Sequence, residues 1–219
     1  METKQQITEL EIISKYMDKV LTDGKKPNSI YKFSKELHIE ESDFYKFFSS
    51  FEHIESQVFT QFFKNSIQLL TKNEEFHEFN AKDKLLSFYF TFFENLTANR
   101  SYVLFALDSH EPKLKTLKKL DGLKTEFKKF INSLEIDKID LKQETLQKIQ
   151  NKGFEEAFWV QLLLSLKFWM KDTSASFEKT DLFIEKSVHA SFDLINTQPI
   201  KSIIDFGKFI LKEKMDFKI

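Results

Sequence analysis

The chain has no cysteine among its 219 residues, and only four glycines and three prolines. Without cysteine it cannot build a disulfide framework, a thiol nucleophile or a thiolate metal site. The scarcity of glycine and proline leaves long windows in which apolar residues recur at helical spacing, which predicts an all-α fold. The longest apolar run, residues 158–170, is interrupted by Gln161, Ser165 and Lys167, so we expect no membrane insertion. Because the first residues lack the pattern of a signal peptide, we expect a cytoplasmic protein.

Residues 28–62 have the layout of two short helices joined by a tight turn. Ser29 offers a side-chain oxygen to the first amides of a helix predicted over residues 29–37, and a second helix is predicted to open at residues 40–43. The rings of the second helix divide between its sides, with Phe44, Phe47 and Phe48 inward and Tyr45 outward. An amphipathic helix over residues 7–21 precedes them, with an apolar stripe of Leu10, Ile13, Met17, Val20 and Leu21. Together the three helices predict a small helix-turn-helix head.

This order of helices, with the residues around Tyr45, resembles the N-terminal head of TetR-type transcriptional repressors over about residues 7–62. A second stretch resembles the C-terminal helices of one TetR-like subgroup through Trp169, Asp172, Ser174, Phe177, Glu178, Thr180, Asp181, Phe183, Ile184, Glu185, Lys186, Ser187, Val188 and Phe192. The resemblance implies a TetR-like, all-α protein with two domains. These are a helix-turn-helix domain over residues 1–53 and a ligand-binding, dimerising helical domain over residues 54–219.

The resemblance also implies how the head would meet DNA. Ser29 and Tyr45 match a serine or threonine and a tyrosine that bind phosphates in the family. The predicted DNA-contacting set is Ser29, Lys32, Ser42, Tyr45 and Lys46. Two positions depart from the family pattern, because His38 stands where a turn glycine is usual and Phe51 stands where a lysine contacts a phosphate.

Charge sets this head apart from most DNA-binding domains. Residues 1–60 contain eight lysines, eleven acids and no arginine, and the only arginine of the chain is Arg100. Affinity for phosphates comes mainly from cations, and arginine makes the commonest specific contact with guanine. Glu40, Glu41 and Asp43 fall in the first turn of the recognition helix, where they predict weak or unusual DNA reading. Alternatively, these acids simply stabilise the helix start through its dipole, which is compatible with any function.

The helix predicted over residues 145–171 needs cover on two faces, because its second half is apolar on nearly every side. A bundle within the chain covers one face. The helix over residues 181–196 is a candidate to join the other in a four-helix interface between two copies, as the resemblance implies. The predicted dimer-interface residues are Trp159, Leu163, Met170, Phe183, Val188 and Phe192. The alternative is that this helix forms the centre of a monomer.

Phenylalanine accounts for 26 residues, and aromatic residues make up 15% of the chain. A stripe of rings at helical spacing is more often packing than a ligand site. The body helices nevertheless present more rings than a tight bundle easily fills, which indicates a cavity for an apolar or amphipathic small molecule. The predicted lining is Phe88, Tyr89, Phe92, Phe105, Phe127, Phe158 and Leu162, with Asn95 or Gln161 as further polar contacts.

Catalysis finds little support in the sequence. The five histidines are scattered, with no pair at metal-ligand spacing, and the chain has neither a phosphate-binding glycine loop nor a nucleophile elbow. We therefore expect no enzyme, no catalytic or metal-binding residues and no cofactor.

Three functions remain open at this point. The first is a TetR-like transcriptional regulator that binds DNA as a homodimer and a hydrophobic effector in its body. The second is a protein of the same fold that has lost DNA binding and binds lipid-like small molecules. The third is an interaction module whose acidic head binds a basic protein.

Overall fold

The computed structural model describes residues 7–107, 112–136 and 144–195, with only the backbone of residues 113 and 144–151. Within these ranges the chain forms eleven α-helices, one 3-10 turn and no strand, which confirms the all-α prediction. The helices are α1 Glu9–Asp23, α2 Ile30–Glu36, α3 Glu41–Tyr45, α4 Phe51–Thr71, α5 Glu74–Glu78, α6 Ala81–Ala98, α7 Arg100–Leu107, α8 Lys113–Lys118, α9 Asp121–Ser133, α10 Glu144–Lys171 and α11 Glu178–Ile195. None of the helices in the described ranges is both long and apolar enough to span a bilayer.

The chain divides into two compact units. The first unit comprises Met1–Leu69 and Thr91–Glu126, and the second comprises Leu70–Phe90 and Phe127–Ile219. The domain boundary predicted at residues 53 and 54 falls inside α4.

Helix α1 begins and ends with recognisable capping groups. The Thr8 hydroxyl accepts a hydrogen bond from the Glu11 amide at 3.3 Å, and the Glu11 carboxylate accepts one from the Thr8 amide at 2.7 Å. Gly24 ends the helix in the left-handed conformation at φ 64°. The buried face of α1 consists of Ile12, Ile13, Tyr16 and Val20.

The apolar stripe expected on α1 was therefore wrong at two positions. Leu10 and Leu21 are 54% and 43% exposed, whereas Ile12 and Tyr16 are fully buried. The inward turn of Tyr16 explains the difference, because its hydroxyl donates a hydrogen bond to Glu55 on α4, which is itself buried. A carboxylate in the core makes a hydroxyl-bearing ring a better inner residue than a leucine.

The turn between α2 and α3 has the Schellman geometry that normally relies on glycine. The His38 amide donates to the Lys35 carbonyl at 3.1 Å, and the Ile39 amide donates to the Ser34 carbonyl at 3.0 Å. His38 takes the left-handed conformation at φ 57°. The turn forms as predicted without glycine, at the cost of backbone strain on histidine.

Four rings form the core of the head. Phe51 stacks on Tyr16 with ring centroids 5.5 Å apart and makes edge contacts with Phe33 and Phe44. Phe44 and Phe48 are buried, and Tyr45 is exposed, as the sequence predicted. These contacts fix the short helices α2 and α3, which are too short to be stable alone.

The second unit contains α10 and α11, joined by a tight connection. Asp172 accepts hydrogen bonds from the Ser174 amide at 2.8 Å and from the Thr180 amide and hydroxyl at 2.9 and 2.7 Å. The carboxylate thus caps the start of α11. The same unit buries Phe158, Leu162 and Trp169 of α10.

Candidate functional site

The five residues predicted to contact DNA all lie on α2, α3 or their caps. Lys32, Ser42, Tyr45 and Lys46 are exposed, and Ser29 is half-buried. The Ser29 hydroxyl oxygen accepts a hydrogen bond from the Lys32 amide at 3.2 Å, so Ser29 caps α2 as predicted. Its hydroxyl hydrogen is left to donate to another acceptor.

Two of these residues are held by carboxylates of their own helix. The Tyr45 hydroxyl donates to the Glu41 carboxylate at 3.3 Å, and the Lys46 ammonium lies 2.7 Å from the Asp43 carboxylate. Desolvation, followed by the negative charge of Glu41, raises the pKa of Tyr45. The hydroxyl and the ammonium predicted to meet phosphates therefore already have anionic partners.

Other lysines of the head are paired in the same way. Lys19 lies 2.9 Å from Glu36, and Lys35 lies 4.0 Å from Glu40. Lys32 has no ion-pair partner among the described residues. The head thus neutralises much of its own positive charge.

The acids of α3 also stabilise the helix start. Asp43 accepts a hydrogen bond from the Glu40 amide at 3.3 Å, and both Glu41 and Asp43 lie in the first turn. Carboxylates there interact favourably with the helix dipole. The capping role and the pairing with Tyr45 and Lys46 coexist in one set of side chains.

A buried ionic network lies in the first unit, and the sequence analysis did not identify it. Glu55 is 2% exposed, and its carboxylate accepts a hydrogen bond from the Tyr16 hydroxyl at 2.8 Å. The ammonium groups of Lys26 and Lys119 lie 2.9 and 3.4 Å from the same carboxylate. Lys119 is itself 5% exposed and donates to the Ala106 carbonyl at 2.9 Å. The network connects α1, α4, α7 and the residues between α8 and α9.

Burial and charge act together on two tyrosine hydroxyls near Glu55. Burial, reinforced by the negative charge of Glu55, raises the pKa of both Tyr16 and Tyr102. The Tyr102 hydroxyl is buried and has no hydrogen-bond partner among the described residues. One signal for the network was present in the sequence, because Glu55 stands at helical spacing ahead of Val58, Phe59 and further buried residues of α4.

Next to this network, α9 approaches α4 closely. A Cβ on Gly122 would overlap the Thr60 hydroxyl and lie 3.3 Å from the Ser56 hydroxyl. Thr60 is buried and donates to the Ser56 carbonyl at 3.0 Å. Only glycine fits at position 122 without displacing its neighbours.

The residues predicted to line a ligand pocket fall into both units. Phe88, Tyr89, Phe127, Phe158 and Leu162 are buried in the second unit, whereas Phe92 and Phe105 belong to the first. Within the second unit, the rings of Phe88 and Tyr89 lie 5.5 and 6.4 Å from that of Phe127.

The second unit also contains a buried side-chain amide, that of Gln161. The Gln161 nitrogen donates to the Ser187 hydroxyl at 3.1 Å, while its buried carbonyl oxygen has no hydrogen-bond partner among the described residues. A buried acceptor without a donor is unfavourable, and a bound molecule or water would satisfy it. Asn95, the other predicted polar contact, lies in the first unit and donates to the Phe62 carbonyl at 3.1 Å.

The residues predicted to form a dimer interface differ in how much surface they expose. Trp159 is 6% exposed and Val188 fully buried within their own chain, which leaves them little area for a partner. Leu163, Met170, Phe183 and Phe192 are half-buried. The sequence could not separate these residues because α10 is apolar on several sides.

Within the part of the chain that the structure describes, an apolar strip on α10 and α11 remains exposed. Val160, Leu164 and Phe168 follow one another at helical spacing on α10 and are 51%, 52% and 36% exposed. On α11, Leu182 and Leu194 are 49% and 58% exposed. The rings of Phe168 and Phe183 stack at 4.6 Å and line two open clefts of about 440 and 480 Å³.

Comparison with known proteins identifies the body of the molecule. A family model described as "Tetracyclin repressor-like, C-terminal domain" matches residues 84–210. The match leaves α1, α2 and α3 outside its range. No curated protein matches the chain. The domain belongs to regulators rather than to an enzyme family. Because the match covers more than half of the 219 residues, the chain is a member of the tetracyclin repressor-like family, as the resemblance predicted.

Proposed function

We propose that the protein is a TetR-like transcriptional regulator that binds DNA as a homodimer and responds to a hydrophobic effector. The observation that carries the proposal is the arrangement of α2, the Schellman turn and α3 on a chain whose body belongs to this family. Lys32, Ser42, Tyr45 and Lys46 project from these short helices into solvent.

DNA binding is tested directly with the purified full chain. We expect it to shift a fluorescent duplex taken from the DNA upstream of its own coding sequence, with affinity that falls steeply as salt rises. Two heads of a dimer would enter successive major grooves about 34 to 36 Å apart, so half of the duplex should bind much more weakly. Absence of binding at low salt would rule out the DNA-binding part of the proposal.

The exposed strip of α10 and α11 supports a homodimer. Five large apolar side chains on two adjacent helices form a surface that a four-helix interface between two copies would cover. We therefore expect Leu164→Glu to convert a dimer into a monomer, measured by light scattering after size-exclusion chromatography. The matched control is Leu69→Glu, because Leu69 is 58% exposed on α4, outside this strip. A wild-type protein that is monomeric at high concentration would contradict the dimer.

The ring cluster of the second unit supports an effector site. Phe88, Tyr89 and Phe127 lie together, and α10 buries Phe158, Leu162 and Gln161, whose carbonyl lacks a donor among the described residues. An apolar molecule with one hydrogen-bond donor matches this chemistry. Native mass spectrometry should detect a bound hydrophobe, and Gln161→Leu should weaken its retention. A protein that never retains or binds such a molecule would contradict this part of the proposal.

The acid pairing of the head favours one second candidate. If Glu41 and Asp43 hold Tyr45 and Lys46 permanently, the chain is a TetR-fold binder of lipid-like molecules that has lost DNA binding. Retention of a hydrophobe without any duplex shift at low salt would support this candidate. Capture of a basic protein by the head, with no duplex shift, would instead support an interaction module.

A further inference from the structure

The short helix α3 carries both the groups suited to phosphate and the anions that occupy them. Tyr45 and Lys46 each have a carboxylate partner three or four residues earlier, at 3.3 and 2.7 Å. All four side chains belong to one helix and its C-cap, so both pairs are local to α3. We infer that Glu41 and Asp43 determine DNA affinity by competing intramolecularly with the phosphate backbone, an inference that rests on the proposed DNA-binding function.

A phosphate contact made by Tyr45 or Lys46 must first displace the carboxylate of Glu41 or Asp43, so it adds less binding free energy than usual. When the Lys46 ammonium moves from Asp43 to a phosphate, one anionic partner replaces another, so little net attraction results. The released Asp43 carboxylate then stands near a second negative charge. The same holds for the Tyr45 hydroxyl, which exchanges the Glu41 carboxylate for a phosphate oxygen. Each contact therefore adds less affinity than an unpaired side chain would.

Contacts with phosphates carry no sequence information, so weakening them affects all DNA alike. A head that binds mixed-sequence DNA poorly can be retained only where contacts with base edges or DNA shape add affinity. The acids of α3 thus make binding depend on the sequence and shape of the DNA rather than on the phosphate charge that all DNA shares. Asn at position 43 keeps an acceptor for the hydrogen bond from the Glu40 amide, and it removes the charge that competes with phosphate.

The test measures binding of the full chain to a fluorescent mixed-sequence duplex over a range of salt concentrations. We expect Asp43→Asn to tighten binding about three- to tenfold at low salt, because Lys46 becomes available to a phosphate. The slope of log affinity against log salt should become steeper by about 0.9 for the added phosphate contact. Glu41→Gln should tighten binding with little change in slope, because Tyr45 carries no charge.

Two controls separate this competition from a change in net charge. Glu94→Gln removes one carboxylate from an exposed position on α6, outside the head, and should leave both affinity and slope close to those of the wild type. In the double variant Asp43→Asn with Lys46→Gln, the steeper slope should disappear. Melting curves establish that each variant folds, and Glu41→Gln provides an independent test if Asp43→Asn does not.

The outcomes distinguish this inference from the proposed function. Wild-type binding that Asp43→Asn and Glu41→Gln fail to tighten overturns the inference and leaves DNA binding intact. A gain in Asp43→Asn that Glu94→Gln matches also overturns it, because net charge then accounts for the effect. If neither the wild type nor either variant binds the mixed-sequence duplex at low salt, the inference fails, whereas the proposed function fails only if the upstream duplex is not bound either. Binding by Asp43→Asn alone supports the inference most strongly.

Discussion

Two groups of lysines and carboxylates in the first unit use the same chemistry under opposite conditions. At Glu55 the ion pair with Lys119 is enclosed, with the side chains of Glu55 and Lys119 only 3% and 6% exposed. On α3 the pair of Asp43 and Lys46 is open to water, with side chains 28% and 56% exposed. A buried pair must stay intact because an unpaired charge cannot be hydrated, whereas an exposed pair can exchange its partner for a ligand. Burial therefore assigns the first group to structure and leaves the second available for binding.

The largest expected effect on stability is at the buried pair of Glu55 and Lys119. Glu55→Gln removes the anion that lies 2.9 Å from Lys26 and 3.4 Å from the buried Lys119. We expect the free energy of unfolding to fall by about 3 to 5 kcal/mol. Urea denaturation of the full chain measures it, with the exposed Glu94→Gln as the control.

The exposed pair of Asp43 and Lys46 should contribute much less to stability. Asp43→Asn should change the free energy of unfolding by no more than about 1 kcal/mol, although it is expected to change DNA affinity. Adding Lys119→Met to Glu55→Gln should recover part of the lost stability, because both buried charges are then gone. Equal losses in Glu55→Gln and Asp43→Asn would contradict the division between structural and exchangeable pairs.

Packing beside the network gives the second prediction. Gly122→Ala places a Cβ against the Thr60 hydroxyl, and we expect a loss of about 1 to 3 kcal/mol in the free energy of unfolding. The control is Gly153→Ala on α10, where a Cβ meets nothing within 4 Å and should stabilise the helix by about 0.5 to 1 kcal/mol. Thr60→Ala should restore part of the loss in Gly122→Ala. If both glycine variants behave alike, the close approach of α9 to α4 does not constrain the fold.

The turn before α3 gives a smaller effect. In His38→Gly, relief of left-handed strain is offset by the greater freedom of glycine in the unfolded chain, so we expect a stabilisation of about 0 to 1 kcal/mol. Gly24→Ala is the matched opposite, because Gly24 has a similar φ of 64° and should lose about 1 kcal/mol. Thermal denaturation compares the two. A destabilised His38→Gly would indicate that the histidine side chain itself supports the turn.

The smallest expected effect near neutral pH is at Asp172, whose carboxylate accepts hydrogen bonds from uncharged groups of Ser174 and Thr180. The Thr180 hydroxyl bond contributes most to lowering the pKa of Asp172, and Ser174 adds to it. Because the folded pKa lies below that of the unfolded chain, the stabilisation is fully present above the unfolded value. It is lost as pH falls from there through the folded pKa. Asp172→Asn should make the melting temperature vary less with pH over this acid range. A pH profile equal to that of the wild type would contradict the stabilising role of the Asp172 carboxylate.

Local chemistry made the head predictable. The Ser29 cap, the outward Tyr45 and the inward Phe44 and Phe48 follow from spacing and capping rules that operate within a few residues. The turn could be located even though His38 replaces glycine. The body helices could be recognised for the same reason, since α10 begins at Glu144 and ends at Lys171, within one residue of the range 145–171.

Relations between helices could not be predicted in the same way. The assignment of Leu10 and Leu21 to the inner face of α1 failed because a partner 39 residues away, Glu55, draws Tyr16 inward. On α10, an all-round apolar surface gave no means of separating the buried Trp159 from the exposed Val160. Periodicity identifies a face only when the other face is polar.

The sequence alone determined the helices, the head motif, the family resemblance and the net negative charge of the head, because each depends on residue type and short-range spacing. Only the tertiary structure decided which charges are enclosed and which are open. Glu55 and Asp43 are both acids near the start of a helix, and residue type alone does not distinguish their roles. Glu55 is enclosed with Tyr16 of α1 and Lys119, whereas Asp43 and Lys46 form a pair on the surface of α3. The difference arises from packing between distant segments, which fixes the dielectric around each charge.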